Sequence, residues 1–386
     1  MTDHSDATRW SPQKRPPVQR THPVPLMRRK SAVSIVADVY RFVVGVDTHA
    51  ATHSYCLVEA ATARTVDQAT FPTSSAGLRR AIAWIERRTG TRIRETLISV
   101  EGSSSYGTRL TRELLRAGYR VVDAPSPRRE RGGSKTDAID AHKAAVTMLA
   151  RPSDGLADAR TGDLHECLKT LLPARDRMTR EKTRQFNAMV ALLREHDLGI
   201  DARGKPTLTI VKQIARWRER PSDSRAKQFA RAEVITLAQR IVALHVQLAQ
   251  NLAAVRELVA AHAPVLLELP GVGPISAGLI LNAWAYRGRV KSEAAWAALA
   301  GVSPIEISSG QRQYRRLNRG GDRQLNRALH AIVLTNSRCD QQTKEFIAGR
   351  ITQGKSPRAI RRILKRYLAR RIYRILNQPG AVTTAA

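Results

Sequence analysis

The spacing of apolar positions changes character three times along the chain. Residues 1–38 are polar, basic and proline-bearing (Pro12, Pro16, Pro17, Pro23, Pro25). They hold too little apolar content to bury a core, which predicts a disordered basic arm. Short strand-like runs then follow in quick succession over Phe42 to Val46, Ser54 to Glu59 and Thr65 to Phe71, the pattern of a meander. Thr73 or Ser74 is placed to cap a helix through Leu78, Ile82, Trp84 and Ile85 that ends near Thr89-Gly90. A fourth strand over Thr96 to Val100 follows. Next come a helix through Leu110, Leu114 and Leu115 closed by Gly118, a fifth strand over Arg120 to Val122, and a helix from about Thr136. The order βββαβαβα makes residues 39–152 an α/β domain.

Beyond Pro152 the period lengthens. Asp163 to about His196 and Ser224 to about His262 carry Leu, Val and Ile at three- and four-residue intervals among many charges, predicting long helices over 153–262. Coiled-coil-like dimerisation and a packed helical linker both fit such helices. Asp201 to Arg220 between them reads as a basic, irregular loop. Residues 263–378 read as a mainly α domain, opened by Leu269-Pro270-Gly271-Val272-Gly273-Pro274. This glycine-rich turn suits the helix-hairpin-helix grip on a phosphate backbone through Gly271 and Gly273, and equally a tight helix-to-helix turn. Pro357 to Leu376 forms a basic amphipathic helix with Ile360, Ile363, Leu364, Tyr367, Leu368 and Ile372 on one side. A membrane surface would also suit it, and residues 379–386 read as a disordered tail.

Charge narrows the partner. Lys and Arg number 65 against 33 acids, a net charge of +32 over 386 residues, and nucleic acid is the polyanion such a balance fits best. Arg128, Arg129, Arg131 and Lys135, and later Arg312, Arg315, Arg316 and Arg319, are the densest candidates for backbone contact. Cys56, Cys167 and Cys339 are far apart and form no C-x-x-C pair, which argues against a disulfide framework or zinc knuckle and for a reducing compartment. No apolar run approaches the roughly 20 residues that span a bilayer. The expectation is a soluble cytoplasmic protein associated with the nucleoid.

Against that basic background a few acids stand out. Two apolar runs end abruptly in one acid each, Phe42-Val43-Val44-Gly45-Val46-Asp47 and Thr96-Leu97-Ile98-Ser99-Val100-Glu101. Asp137 and Asp140 sit three apart at a helix start and share one face. Like charges gathered this way persist most readily around a divalent cation with oxygen ligands. His49 and His53 lie on a loop and a strand, where a four-residue spacing does not converge on a metal. A serine in the Ser308-Ser309-Gly310 turn, beside many arginines, is a candidate nucleophile toward phosphate.

The element order and acid placement resemble the ribonuclease H fold in its RuvC-like form, whose sites hold two metal ions about 3.5–4 Å apart. More widely, Gly45-Val46-Asp47, Val100-Glu101-Gly102, Lys135-Thr136-Asp137-x-x-Asp140-Ala141, Leu269-Pro270-Gly271-Val272-Gly273, Gly301-x-x-Pro304 and Ser308-Ser309-Gly310 with Arg319-Gly320-Gly321-Asp322 resemble the DEDD transposases of the insertion-sequence 110 family, relatives of the Piv and MooV invertases. The resemblance implies a DNA recombinase that excises and inserts its element. Its double-stranded donor and target DNA would be chosen by a structured bridge RNA, with the protein reading mainly backbone and shape. It implies Mg²⁺, two ions per site with Mn²⁺ as an alternative, held by Asp47, Glu101, Asp137 and Asp140. It implies an essential serine, here Ser309 with Ser308 as substitute, and a homo-oligomer from dimer to tetramer. This chain departs from the pattern at Ala50, where many relatives carry lysine. A metal-dependent nuclease of the junction-resolving type, with Ser309 only structural, is the alternative.

Overall fold

The computed structural model describes residues 34–124, 137–309, 312–318 and 320–383. Ser34 to Asp38, expected in the disordered arm, are folded instead. Ile35 bridges Pro152, and α1 (Val36–Val39) follows with Val36 fully buried and its N–H donating to the Arg151 carbonyl. The rest of the arm lies outside the described residues.

The α/β half is built on one five-stranded sheet. Its strands are β1 (Phe42–Thr48), β2 (Thr52–Glu59) and β3 (Thr65–Pro72), then, after α2 (Ser75–Thr89), β4 (Thr96–Val100), and, after α3 (Thr108–Arg116), β5 (Arg120–Asp123). The spatial order is β3-β2-β1-β4-β5, with the first three antiparallel and β4 and β5 parallel to β1. Every residue of β1 is buried, as befits a central strand covered on both faces. Val44 and Val46 meet Leu78, Trp84 and Leu110 on one side. Val43 meets Ala141, Ala145 and Met148 of α4 (Asp137–Leu149) on the other. β3 alternates between exposed and half-buried positions and forms an edge. Ser74, of the two expected caps, starts α2: its Oγ accepts from the Gly77 N–H, and Gly90 at φ 63° ends the helix.

The second half is helical. α5 (Asp163–Glu195) and α7 (Arg225–His262) run antiparallel: the Asn251 side chain donates to the Leu171 carbonyl, and Arg175 to the Leu248 carbonyl. The segment from Asp201 to Arg220, expected to be an irregular loop, contains α6 (Leu208–Ile214). Its Val211 and Ile214 fill the far end of the hairpin against Met189, Leu193, Val234 and Ile241, so apolar burial has overridden a basic composition. At the near end, Leu164, Leu168, Val255 and Val259 join a core with α8 (Pro274–Trp284) and α9 (Glu293–Leu299). A two-stranded sheet, β6 (Pro304–Ser309) and β7 (Arg312–Leu317), comes next, followed by α10 (Arg323–Cys339), α11 (Gln341–Thr352) and α12 (Pro357–Asn377). The apolar side of α12 is not left for a membrane: Ile360, Ala369, Ile372 and Leu376 are buried, the last three within this core. No described helix is long and apolar enough to cross one. The expected disordered tail also turns back, with Val382 against the core and the Thr383 N–H donating to the His262 carbonyl.

Arg112 pairs with Glu166 and Arg160 with Asp322 at 3.2 Å, tying the two halves together, while His165 Nδ1 meets the Asn282 carbonyl at 3.1 Å inside the helical half. Burial, and then Arg160, push the His165 pKa down to about 4.

Gly45 sets the closest approach between sheet and helix. A Cβ there would lie 2.0 Å from the Ala141 carbonyl oxygen and 2.4 Å from the Ala145 nitrogen, both backbone atoms of α4. Gly45→Ala is therefore expected to lower stability by about 1–3 kcal/mol or more, since backbone cannot yield as a side chain can. Thermal unfolding reads this out. His165→Gln should act differently. A histidine whose folded pKa lies below its unfolded value contributes stability that is present above the unfolded pKa and lost as pH falls toward the folded one. Wild type should thus lose up to about 3 kcal/mol more than His165→Gln between pH 6.5 and about 4, measured by chemical denaturation.

Candidate active site

Parallel pairing brings the first two acids together. β1 and β4 lie in register with Val46 opposite Val100, so Asp47 and Glu101 leave the sheet side by side, and the Glu101 N–H donates to the Val46 carbonyl at 2.9 Å. Thr48 Oγ1 donates to the Glu101 carbonyl at 2.7 Å and fixes that corner. The chain then turns on Gly102 at φ 67°, whose carbonyl accepts from the Ser105 and Gly107 N–H groups before α3 begins. Asp137 and Asp140 stand in the first turn of α4, the helix that Gly45 allows onto β1.

Asp47 is 7% exposed. Burial raises its pKa above the usual 3.8; the nearby His49 pulls it back, and Glu101, Asp137 and Asp140 each push it up. All three other acids are thus close enough to act on Asp47, as the sequence pattern anticipates. Among the described residues no lysine or arginine pairs with Asp47, Glu101 or Asp137, in a chain with 65 such residues. Lys143 Nζ lies 3.9 Å from Asp140 Oδ1.

His49, expected to stand apart from any metal, is part of the cluster. Its Nδ1 lies 3.6 Å from Asp47 Oδ2 and 3.8 Å from Asp137 Oδ2, and a donor atom from each of the three residues falls within 4.8 Å of the others. Spacing to His53 was the wrong test, because the partner of His49 is a distant helix. His53 is buried in the domain at 1% exposure, and that burial lowers its pKa.

Other candidates fall elsewhere. Ser309 ends β6 in register with Arg312, at the tip of the β6–β7 hairpin, while Gly310 lies outside the described residues; its sheet is separate from the one that carries Asp47 and Glu101. Arg315 and Arg316 lie along β7. Arg128, Arg129, Arg131, Lys135 and Arg319 lie outside the described residues. Gly271, at φ 73°, faces α10 so closely that a Cβ would fall 2.1 Å from Asn336 Oδ1, a reason for glycine that needs no phosphate. Gly273 caps α8, its N–H donating to Ser276 Oγ at 3.0 Å, and its Cα faces open space.

Carboxylates gathered where two parallel strands end, on a chain of net charge +32, are compatible with a divalent-cation site in a nucleic-acid-binding protein. Family comparison sharpens this. Residues 44–197 match a model described as a transposase, of the insertion-sequence 110 DEDD type, and residues 263–348 match that of the transposase IS116/IS110/IS902 family. The chain belongs to the insertion-sequence 110 family of DEDD transposases. It is 25% identical over 240 residues to a protein of Pseudomonas aeruginosa named as a probable family 20 transposase, covering 60% of this chain and 69% of that one. It is 29% identical over 252 residues to the Sinorhizobium fredii protein named as transposase y4pF/y4sB, covering 61% of this chain and 59% of that one.

Asp47→Asn removes a buried charge that other acids repel. A carboxyl whose folded pKa is raised contributes stability that is full below its unfolded pKa and lost as pH rises through the folded one. Without divalent cations at neutral pH, Asp47→Asn should therefore melt a few degrees above wild type, and wild type should close the gap on acidification toward pH 4. Added divalent cation should raise the wild-type midpoint and leave that of Asp47→Asn nearly unmoved.

Proposed function

We propose that this transposase cuts and rejoins DNA at the four-acid cluster, with Asp47, Glu101, Asp137 and Asp140 holding divalent cations, Mg²⁺ in the first instance. The observation that carries the reading is the convergence of these carboxylates with no described lysine or arginine neutralising Asp47, Glu101 or Asp137. The donor set is hard oxygen, half of it on a rigid strand end, and it fits such ions. The sheet order, the antiparallel meander and the acids after β1, after β4 and on a later helix support a ribonuclease H fold of the RuvC-like kind.

When bound, the cations would stabilise charge on the attacking and leaving oxygens of a phosphodiester. The chain's own residues supply the rest. Asp47 is the buried anchor; Glu101, fixed through its backbone by Thr48, and the first turn of α4 close around it. Ser309 is the nucleophile. Its Oγ forms a bond to phosphorus while the bond to one deoxyribose oxygen breaks; that oxygen keeps the electron pair, and the serine proton passes to a base or solvent. The phosphoserine link conserves the diester, so rejoining reverses the step. The strongly basic chain supports binding of double-stranded donor and target DNA, and the family resemblance supports a bridge RNA that selects them. A nuclease using water, with Ser309 structural, is the second reading, favoured by the separate sheet on which Ser309 lies.

That same separation supports a site shared between subunits, one chain giving acids and another the serine. Ser309→Ala and Asp47→Asn proteins, each inactive alone, should regain part of the recombination when mixed, because some mixed assemblies hold an intact tetrad with an intact serine. Recombination on a two-site DNA substrate measures this, and covalent protein–DNA adducts should vanish in Ser309→Ala. Adducts that persist without Ser309 would favour another nucleophile. Failure of mixing in assemblies shown to be mixed would confine the site to one chain.

A further inference from the structure

We infer that His49 is a nitrogen ligand in the cation site, making it a mixed imidazole–carboxylate centre that favours transition ions such as Mn²⁺ over Mg²⁺. The inference rests on the proposed metal site and concerns what that site selects.

The geometry points to a shared ion rather than to hydrogen bonds. His49 Nδ1 stands 3.6 Å from Asp47 Oδ2 and 3.8 Å from Asp137 Oδ2, beyond the roughly 2.7–3.2 Å of an N–H···O bond to either. Ligands held about 2.0–2.2 Å from one ion stand about 3.0–3.8 Å apart as the angle between them opens from octahedral to trigonal. Both separations fall at the upper end of that span. The ring is also held in place from its backbone: the His49 N–H donates to the Thr52 carbonyl at 3.1 Å across the tight β1–β2 turn. His49 follows Asp47 by two residues, so both project to the same side of the strand line, toward the start of α4. Ala50 and Ala51 complete the turn and bring no charge of their own.

Chemistry then sets the preference. Mg²⁺ takes oxygen ligands in a near-ideal octahedron and sheds water reluctantly, whereas imidazole nitrogen suits transition ions. An all-carboxylate site would give little reason to prefer Mn²⁺. One imidazole in the shell gives that reason, and His49 is the only histidine that the described residues place with two of the acids.

Mn²⁺ added to the full-length protein provides the test, because its pulsed electron paramagnetic resonance reports bound nitrogen directly. Wild type should show nitrogen modulation on bound Mn²⁺. His49→Ala and His49→Gln should still bind Mn²⁺ but without that modulation, with affinity lower by about tenfold or more, the scale on which disturbing a ligand's setting changes metal affinity. Mg²⁺ affinity, read by competition against Mn²⁺, should change much less, so the preference for Mn²⁺ narrows. His49 is half exposed in a turn, and unchanged melting of the metal-free variants will show that the fold is intact. Mn²⁺ binding that is lost in Asp47→Asn but carries no nitrogen modulation in wild type would overturn the assignment of His49 and leave the four-acid site standing. Absence of any Asp47-dependent Mn²⁺ binding would overturn both.

Discussion

One contact organises the catalytic half: the backbone of β1 against the backbone of α4 at Gly45, where the sheet has no Cβ to offer. Sheets and helices ordinarily meet through side chains, which hold their axes well apart. At this position the carbonyl of Ala141 and the nitrogen of Ala145 approach the strand itself, with alanines at 141, 144 and 145 keeping the helix face thin. The consequence appears one turn earlier in the helix and two residues later in the strand. Asp137 and Asp140 come down on the end of the strand that carries Asp47, while parallel pairing of β1 with β4 delivers Glu101. Close packing has been used to concentrate negative charge.

That concentration works against the fold. Asp47 is buried among like charges, so its ionised form is disfavoured. The surrounding chain has cations in plenty, yet the described ones go elsewhere: Arg120 to Asp158, Arg231 to Asp223, Arg370 and Arg374 to Glu293. These basic side chains tie elements of the chain together, and of the four acids only Asp140 has a described basic partner, Lys143 at 3.9 Å. A site neutralised by its own arginines would be more stable and would have no use for an ion.

Much of this was legible in the sequence because the controlling signals are local. The apolar run Phe42 to Val46, the cap at Ser74, the left-handed Gly90 and the acid that follows each of two apolar runs all announce themselves within a few residues. What could not be read was set by distant partners. Val36 looks like part of a polar arm until Arg151 supplies its hydrogen bond. α6 looks like a basic loop until Val211 and Ile214 find the far end of the α5–α7 hairpin. His49 looks unrelated to the acids because a turn, followed by a helix far along the chain, brings Asp137 to it. The hairpin that carries Ser309 was not legible, because β6 and β7 run through polar and arginine-rich sequence, where apolar alternation gives no guide.

The placement of that hairpin bears on how the two halves work together. Its base is fastened. Asp322 caps α10, accepts from Arg160 at 3.2 Å and donates its N–H to the Leu299 carbonyl, while Gly321 and Gly301 approach so closely that a Cβ on Gly321 would lie 2.5 Å from the Gly301 nitrogen. Ser309 is at the other end, five residues along β6 from Pro304, or about 16 Å at the usual rise of a strand. The hairpin thus has a fastened base and carries Ser309 at its far end. Arg160, on the connection leaving the catalytic half, takes part in fixing that base, so the orientation of the hairpin is coupled to the catalytic half of its own chain.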